Sequence, residues 1–402
     1  MLNWVTRFNI FSFLDNNHYA FEEPAFEWIL AVGVKESIVL NNAVDFSELK
    51  SFHAENPGWL FGHINYPSKD SDSIGFPSSF FFVPDIIIKC KGNNISIDSS
   101  TVAAQEIFNE INHQSIQITN TLSSNLSIRS NYTQEEYIEI IHCLKKHIQR
   151  GDCYEINFCQ GFFVENIQID PVDLYQKLME LSPNPFAAFY KLDDKYCICA
   201  SPERFLKKSG EVVISQPIKG TSKRDHSNII TDVLNKEYLL NSVKEKSENV
   251  MIVDLVRNDL SRICNEGSVF TKELFGVYSF PQVHQMISTI QGTVTEEVHW
   301  TEIIKACYPM GSMTGAPKVK VMELIEKYEN GPRGLFSGSI GYVTPEGDFD
   351  FNVVIRSVFY NQSDETLSFK VGGGITFNSD PTMEYEECMI KASAIMQILS
   401  SD

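Results

Sequence analysis

The order of strand-like and helix-like segments restricts the fold of this chain more than any other feature. Thr133 and Glu136 form a capping box, and Tyr137, Ile140, Ile141, Leu144 and Ile148 follow at helical spacing, with Gly151 in the C′ position. A strand is expected over 154–163, then a helix over 171–181 with Asp170 as N-cap and Pro171 as its first residue. Strands over 187–192, 196–200 and 212–214 follow with no helix between them. Residues 228–263 read as mostly helical, and another helix opens near Lys318 and runs to about Tyr328. Strands over 338–344, 350–358 and 367–370 precede a last helix capped by Asp380, with Tyr385, Cys388, Ala392, Ile395 and Leu399 as its buried stripe. A doubly wound sheet needs a crossover helix between successive strands. Hairpins mixed with helices point instead to an α+β fold.

Residues 1–130 alternate short apolar runs with turn-forming clusters. Phe80-Phe81-Phe82-Val83 and Ile86-Ile87-Ile88 are strands parted by Pro84-Asp85. This region is expected to form sheet interlocked with a catalytic region over 131–402, the polar stretch 112–131 being the surface connection. No fixed-period repeat is present. A formal charge of −19 over 402 residues argues against nucleic acid or an anionic membrane as partner. An anionic small substrate would then need a local basic site or a metal ion. The first residues lack a basic segment followed by an unbroken apolar core, and no apolar run approaches membrane-spanning length. The nine cysteines are scattered without a CxxC pair, which argues against a zinc site and for reduced thiols in the cytoplasm.

Within this frame several groups could do chemistry. In Ile214-Ser-Gln-Pro-Ile-Lys-Gly-Thr-Ser-Lys-Arg224, Lys219 is expected at a turn apex after a short strand, beside Gly220 and the Thr221 hydroxyl. Desolvation there would lower its pKa and free the amine as a nucleophile; an exposed turn lysine reads the same way. Glu384, Glu387 and Lys391 share one face of the last helix, and Glu245 and Glu248 repeat the i,i+3 carboxylate spacing on another. Solvated helix faces would look alike, but two carboxylate pairs and an anionic substrate match how Mg2+ is held. The loop Gly311-Ser-Met-Thr-Gly-Ala-Pro-Lys318 is one residue too short between its glycines for a phosphate-binding loop. It and Gly372-Gly373-Gly374 offer backbone N–H groups that suit a carboxylate. Arg356 is a charge in an apolar strand, with Tyr342 on the neighbouring strand. His284 stands alone, with a satisfied core histidine as the plain alternative, and Glu203 adjoins Arg204.

Together these residues resemble a known family. Pro217-Ile-Lys-Gly-Thr221, Glu248-Asn-Val-Met-Ile-Val-Asp-Leu-Val-Arg-Asn-Asp259, the 311–318 loop, Gly338-Ser-Ile-Gly-Tyr342 and Glu384-Tyr-Glu-Glu387 are similar to the chorismate-utilising enzymes, which include anthranilate synthase component I. The resemblance runs from about Thr133 to the end of the chain. It implies large mixed or antiparallel sheets packed as a sandwich with helices outside. Lys219, where anthranilate synthases carry Ala, and Gly151-Asp-Cys-Tyr154 are similar to the aminodeoxychorismate branch. That branch replaces the C4 hydroxyl of chorismate by ammonia on the way to p-aminobenzoate and folate.

Carried over by position, the resemblance implies that Lys219 attacks C2, Glu203 handles protons near C2 and His284 assists at C4. It implies that Glu248 and Glu387 hold Mg2+, with Glu245 and Glu384 in support. Thr221, Gly372, Gly373, Gly374 and Lys391 would receive the ring carboxylate, and Arg356 and Tyr342 the pyruvyl carboxylate. Ammonia would come from a separate glutamine amidotransferase subunit, since no Cys-His glutaminase signature is present. Glu155 departs from the family, which carries Gln or Lys there. The Leu-Leu-Glu-Ser stretch of tryptophan-inhibited relatives is also missing. Anthranilate formation and an inactive regulatory homologue are the alternatives.

Overall fold

The computed structural model describes residues 1–19, 26–42, 45–70, 72–114 and 126–400. Positions 115–125 of the expected 112–131 connection lie outside the described residues. The architecture is α+β, built on two antiparallel sheets: one of ten strands in line plus Arg129–Ser130, which pairs with Glu155–Val164, and one of nine in line plus Phe270–Ser279, which pairs with Val283–Thr293. In the larger sheet the spatial order is Gly315–Ala316, Glu155–Val164, Thr366–Ile375, Ser357–Asn361, Lys195–Ser201, Phe186–Leu192, Ile10–Asp15, Trp28–Val32, Ile86–Lys91 and Asn94–Ser99. In the smaller it is Ile218–Lys223, Val283–Thr293, Val212–Gln216, Arg204–Ser209, Phe349–Asn352, Ser339–Val343, Leu60–Ile64, Ser79–Val83 and Glu36–Leu40.

Strand residues alternate between two cores. Ala188, Tyr190, Cys197 and Cys199 join the core shared with Phe61, Phe81 and Phe351 of the smaller sheet. Phe189, Ile198 and Ala200 point the other way, onto Tyr137, Leu178 and Ile395 of the helices. Both faces of the larger sheet are therefore buried, which explains why its strands read as continuous apolar runs. The helix Gln134–Gln149 starts on the Thr133–Glu136 capping box, and Pro171–Leu181 starts on Asp170. On Pro381–Ser400, Asp380 accepts hydrogen bonds from the N–H groups of Thr382 and Met383 at 3.0 Å. Cys388, Ala392, Ile395 and Leu399 are buried, and the half-buried Tyr385 ring meets Tyr137 edge-on.

Two expectations are corrected and a third is refined. The strand read over 350–358 is two strands in different sheets, Phe349–Asn352 and Ser357–Asn361. The chain crosses between the sheets over 353–356, so Arg356 lies in a break, at φ 51°, and not within a strand. Lys219 is not a turn apex; it lies on Ile218–Lys223, which pairs with Val283–Thr293 through a register shift between Ile218 and Thr221. The helical stretch 228–263 is two helices, Ile229–Asn241 and Val243–Ser261, parted at Ser242, whose side chain caps the second.

The first of those helices is inverted. Asp232 and Asn235 face inward, to Arg224 and to the Lys223 carbonyl, while Ile229, Ile230, Val233, Leu234 and Tyr238 are exposed. All nine cysteines are free thiols. No described helix is long and apolar enough to cross a membrane.

Candidate active site

The two sheets meet at a buried ion pair. Lys219 Nζ, from the edge strand of the smaller sheet, lies 2.5 Å from Oε1 of Glu155, the first residue of Glu155–Val164 in the larger. Glu155 is 1 % exposed and the Lys219 side chain 11 %. Backbone geometry makes this approach possible. Gly220, at φ +98°, sits inside the register shift that sets Lys219, and a left-handed backbone of this kind favours glycine. A Cβ on Gly374 would stand 2.6 Å from both Lys219 Nζ and Glu155 Oε1, so the pair in this position requires a hydrogen there. On the far side, Gly315–Ala316 pairs with Ile156 and Glu155 and fixes the start of that strand.

Burial alone would pull the Lys219 ammonium down, but the carboxylates of Glu155, Glu248 and Glu203 outweigh it and hold the group above its usual range. The expectation of a neutral amine produced by desolvation is thus corrected: at rest Lys219 is a paired cation. Glu203 is 4 % exposed, and burial pushes its carboxyl up to about 7, against a smaller pull from Ser312, Lys219 and Arg356. Arg356 faces Glu203 and Tyr19, burial lowers its pKa, and it forms no ion pair among the described residues. It is a cation available to an anionic ligand.

Behind the glycine strand lie the four carboxylates. Glu245 and Glu248 come from Val243–Ser261, Glu384 and Glu387 from Pro381–Ser400. Each helix approaches the Gly220–Gly374 seam: Gly220 abuts Glu245, and Gly373 abuts Glu384. Burial raises Glu248 to about 7, with Glu155 and Glu245 adding to the rise, and raises Glu245 and Glu384 as well. Glu387 is lowered by Lys391, 2.8 Å away, which also donates to the Gly372 carbonyl. Among the described residues no three metal-ligating side chains already converge as a cage. The donor chemistry nevertheless suits Mg2+: Glu248 Oε1 is buried with no hydrogen-bond partner, among mutually repelling carboxylates. Mg2+ is commonly held by one or two carboxylates together with substrate and water, not by an all-protein cage.

His284 and Tyr342 are not brought here, and Thr221 stands at the edge. His284 shares its rings' two nitrogens between Ser279 Oγ, 2.9 Å away, and Asp232, 3.1 Å away, facing the helix Ile229–Asn241. Tyr342 packs on Phe26, Trp59 and Phe61 and lines a separate cavity with Arg204 and Asp350. A second cavity touches Glu203, Pro217 and Ser312, and neither cavity is lined by Lys219. Thr221 is exposed on the Lys219 strand, paired in register with Gln285. Lys318, which closes the 311–318 loop, pairs with Asp259 at 2.6 Å. Sequence reasoning passed over Arg333, which binds Glu329 and the carbonyls of Met313 and Asn157 and so ties the 311–318 loop to the Glu155 strand. Its i,i+4 spacing from Glu329 was the available signal.

The pattern of the chorismate binding enzymes matches residues 16–397. Aminodeoxychorismate synthase component 1 of Escherichia coli is 32 % identical over 376 residues, 90 % of this chain and 82 % of that protein. The Klebsiella aerogenes protein of the same name is 36 % identical over 72 % of this chain and 63 % of its own length. The chain spans about a third of the longer Arabidopsis thaliana aminodeoxychorismate synthase, at 38 % identity over 72 % of this chain. Anthranilate synthase component I from Streptococcus pneumoniae superposes with a TM-score of 0.79 at 25 % identity, over 94 % of each chain. On sequence and fold together, the chain belongs to the chorismate binding enzyme family.

Proposed function

We propose that this chain is the aminodeoxychorismate-forming component, converting chorismate and ammonia to 4-amino-4-deoxychorismate and water. The observation that carries the reading is a buried lysine at the junction of the sheets, flanked by two carboxyls raised to about 7, one of which, Glu203, faces an arginine with no ion pair among the described residues. A lysine amine can form a covalent bond to substrate carbon; the alanine of anthranilate synthases cannot.

Arg356 receives the pyruvyl carboxylate, without Tyr342, which lines a separate cavity with Arg204 and Asp350. The ring carboxylate lies toward Gly372, Gly373, Gly374 and Lys391, with Thr221 at the edge. Glu248 and Glu387 would hold Mg2+, supported by Glu245 and Glu384, and the ion would supply positive charge opposite that carboxylate. The Lys219 amine bonds to C2, the two ring double bonds shift, and the C4–O bond breaks. The hydroxyl departs as water with the proton shed by the new C–N nitrogen, and Glu203, partly protonated near neutrality, relays protons at C2. Ammonia then bonds to C4, the double bonds shift back, and the C2–N bond breaks. The proton from the incoming nitrogen restores the Lys219 amine. His284, with both ring nitrogens engaged by protein, has no part in these steps.

The ammonia source in this reading is a separate cytoplasmic glutamine amidotransferase, in keeping with relatives named component 1. The exposed apolar side of Ile229–Asn241, backing the Lys219 strand, would suit such a partner. Incubation with chorismate, Mg2+ and an ammonium salt should yield aminodeoxychorismate on chromatography. Anthranilate fluorescence without an added lyase would overturn the reading in favour of anthranilate synthase.

A further inference from the structure

We propose that Glu155 is the proton acceptor that turns Lys219 from an ammonium ion into a nucleophile. The inference rests on the reading above, in which Lys219 attacks chorismate. An ammonium group has no lone pair, so one proton must leave Nζ before any N–C bond can form. Glu155 Oε1, 2.5 Å away, is the only side-chain oxygen hydrogen-bonded to that nitrogen among the described residues. The pair is buried, so bulk water is a poor acceptor in competition with it. Glu203, from the turn after Lys195–Ser201, and Glu248, from Val243–Ser261, act on Lys219 through charge alone, without a hydrogen bond to Nζ.

A second observation is independent of that contact. Glu155 Oε2 is buried with no hydrogen-bond partner among the described residues. A carboxylate serving only as a fixed counter-ion should have both oxygens satisfied, because a buried unsatisfied acceptor costs stability. A group that alternates between carboxylate and carboxylic acid cannot have both oxygens satisfied in both states.

The transfer balances simply. One proton moves from Nζ to Glu155, and the ion pair becomes a neutral amine beside a neutral acid. Further desolvation by a bound substrate favours this neutral form. The nitrogen lone pair then makes the bond to C2. When ammonia has displaced Lys219, the proton on Glu155 returns to the free amine and the pair is restored.

The test follows the Lys219–chorismate adduct by rapid quench and intact mass, with Mg2+ and without ammonia, in wild type and Glu155→Gln. Glutamine keeps the shape but accepts no proton, so the variant must shed its proton to solvent. The expected result is a wild-type rate about 100-fold above that of the variant at about pH 6.5, the ratio falling about tenfold per pH unit as solvent deprotonation takes over. Chorismate affinity by calorimetry should change less than about threefold. Rates within about threefold at every pH, or a slower variant whose ratio does not vary with pH, would overturn the assignment, the latter leaving Glu155 a positioning residue. No adduct on Lys219 in wild type, with Lys219→Ala as control, would overturn the nucleophile reading itself and this inference with it.

Discussion

A carboxyl group withdrawn from water resists ionising, and Glu248 shows what that costs the fold. Its folded pKa of about 7 stands above the 4.5 of an exposed glutamate. A raised carboxyl contributes stability below its unfolded pKa and loses it as pH rises through the folded value. Glu248→Gln should therefore melt about 1–4 °C above wild type near pH 8 in chelator and match it near pH 4.5, as calorimetry would show. Added Mg2+ should stabilise wild type and leave the variant unmoved. At this scale the site was partly legible. Lys219, Glu203 and Arg356 stand out in sequence because charges in apolar surroundings need a reason. Glu155 was visible only as a departure, since nothing local says which cation it meets across two sheets. Tyr342 and His284 misled for the complementary reason: residue type does not say which side of a strand faces the site.

At the scale of elements, the triple glycine separates two demands on one strand. A Cβ on Gly374 meets the far ends of two flexible side chains, Lys219 and Glu155, whereas a Cβ on Gly372 would stand 2.2 Å from the Phe158 carbonyl oxygen. Gly374→Ala should fold, with Tm within about 3 °C of wild type, yet lose at least about 100-fold in product formation as the pair is pushed apart. Gly372→Ala should instead lose about 3 kcal/mol or more of stability, read by denaturant unfolding. Helix starts at Thr133, Asp170 and Asp380 were legible because caps are local chemistry. The change of sheet over 353–356 was not. Val353, Val354 and Ile355 continue the apolar run without proline or glycine, and the positive φ falls on Arg356, a residue type that does not advertise it.

For the whole molecule, the boundary read at 130/131 separates chain segments whose strands lie side by side. Ile10–Asp15 pairs with Phe186–Leu192, and Leu60–Ile64 pairs with Ser339–Val343, so early strands sit inside both sheets. A fragment comprising 131–402 would expose the unpaired edges of Phe186–Leu192 and Ser339–Val343. It should show no cooperative melt by circular dichroism and should be degraded rapidly by protease. The same interleaving sets a timetable during synthesis. Ile64 is made first and its neighbour Ser339 about 275 residues later, which at about 5–20 residues per second leaves roughly 14 to 55 s between them. Through that interval the phenylalanines of Ser79–Val83 have their early neighbours Glu36–Leu40 and Leu60–Ile64, but not the rest of the sheet or the opposing layer. The first strands thus wait unpaired on one side until the ribosome has nearly finished, and codon changes that slow translation between those strands should lower soluble yield without altering a single residue.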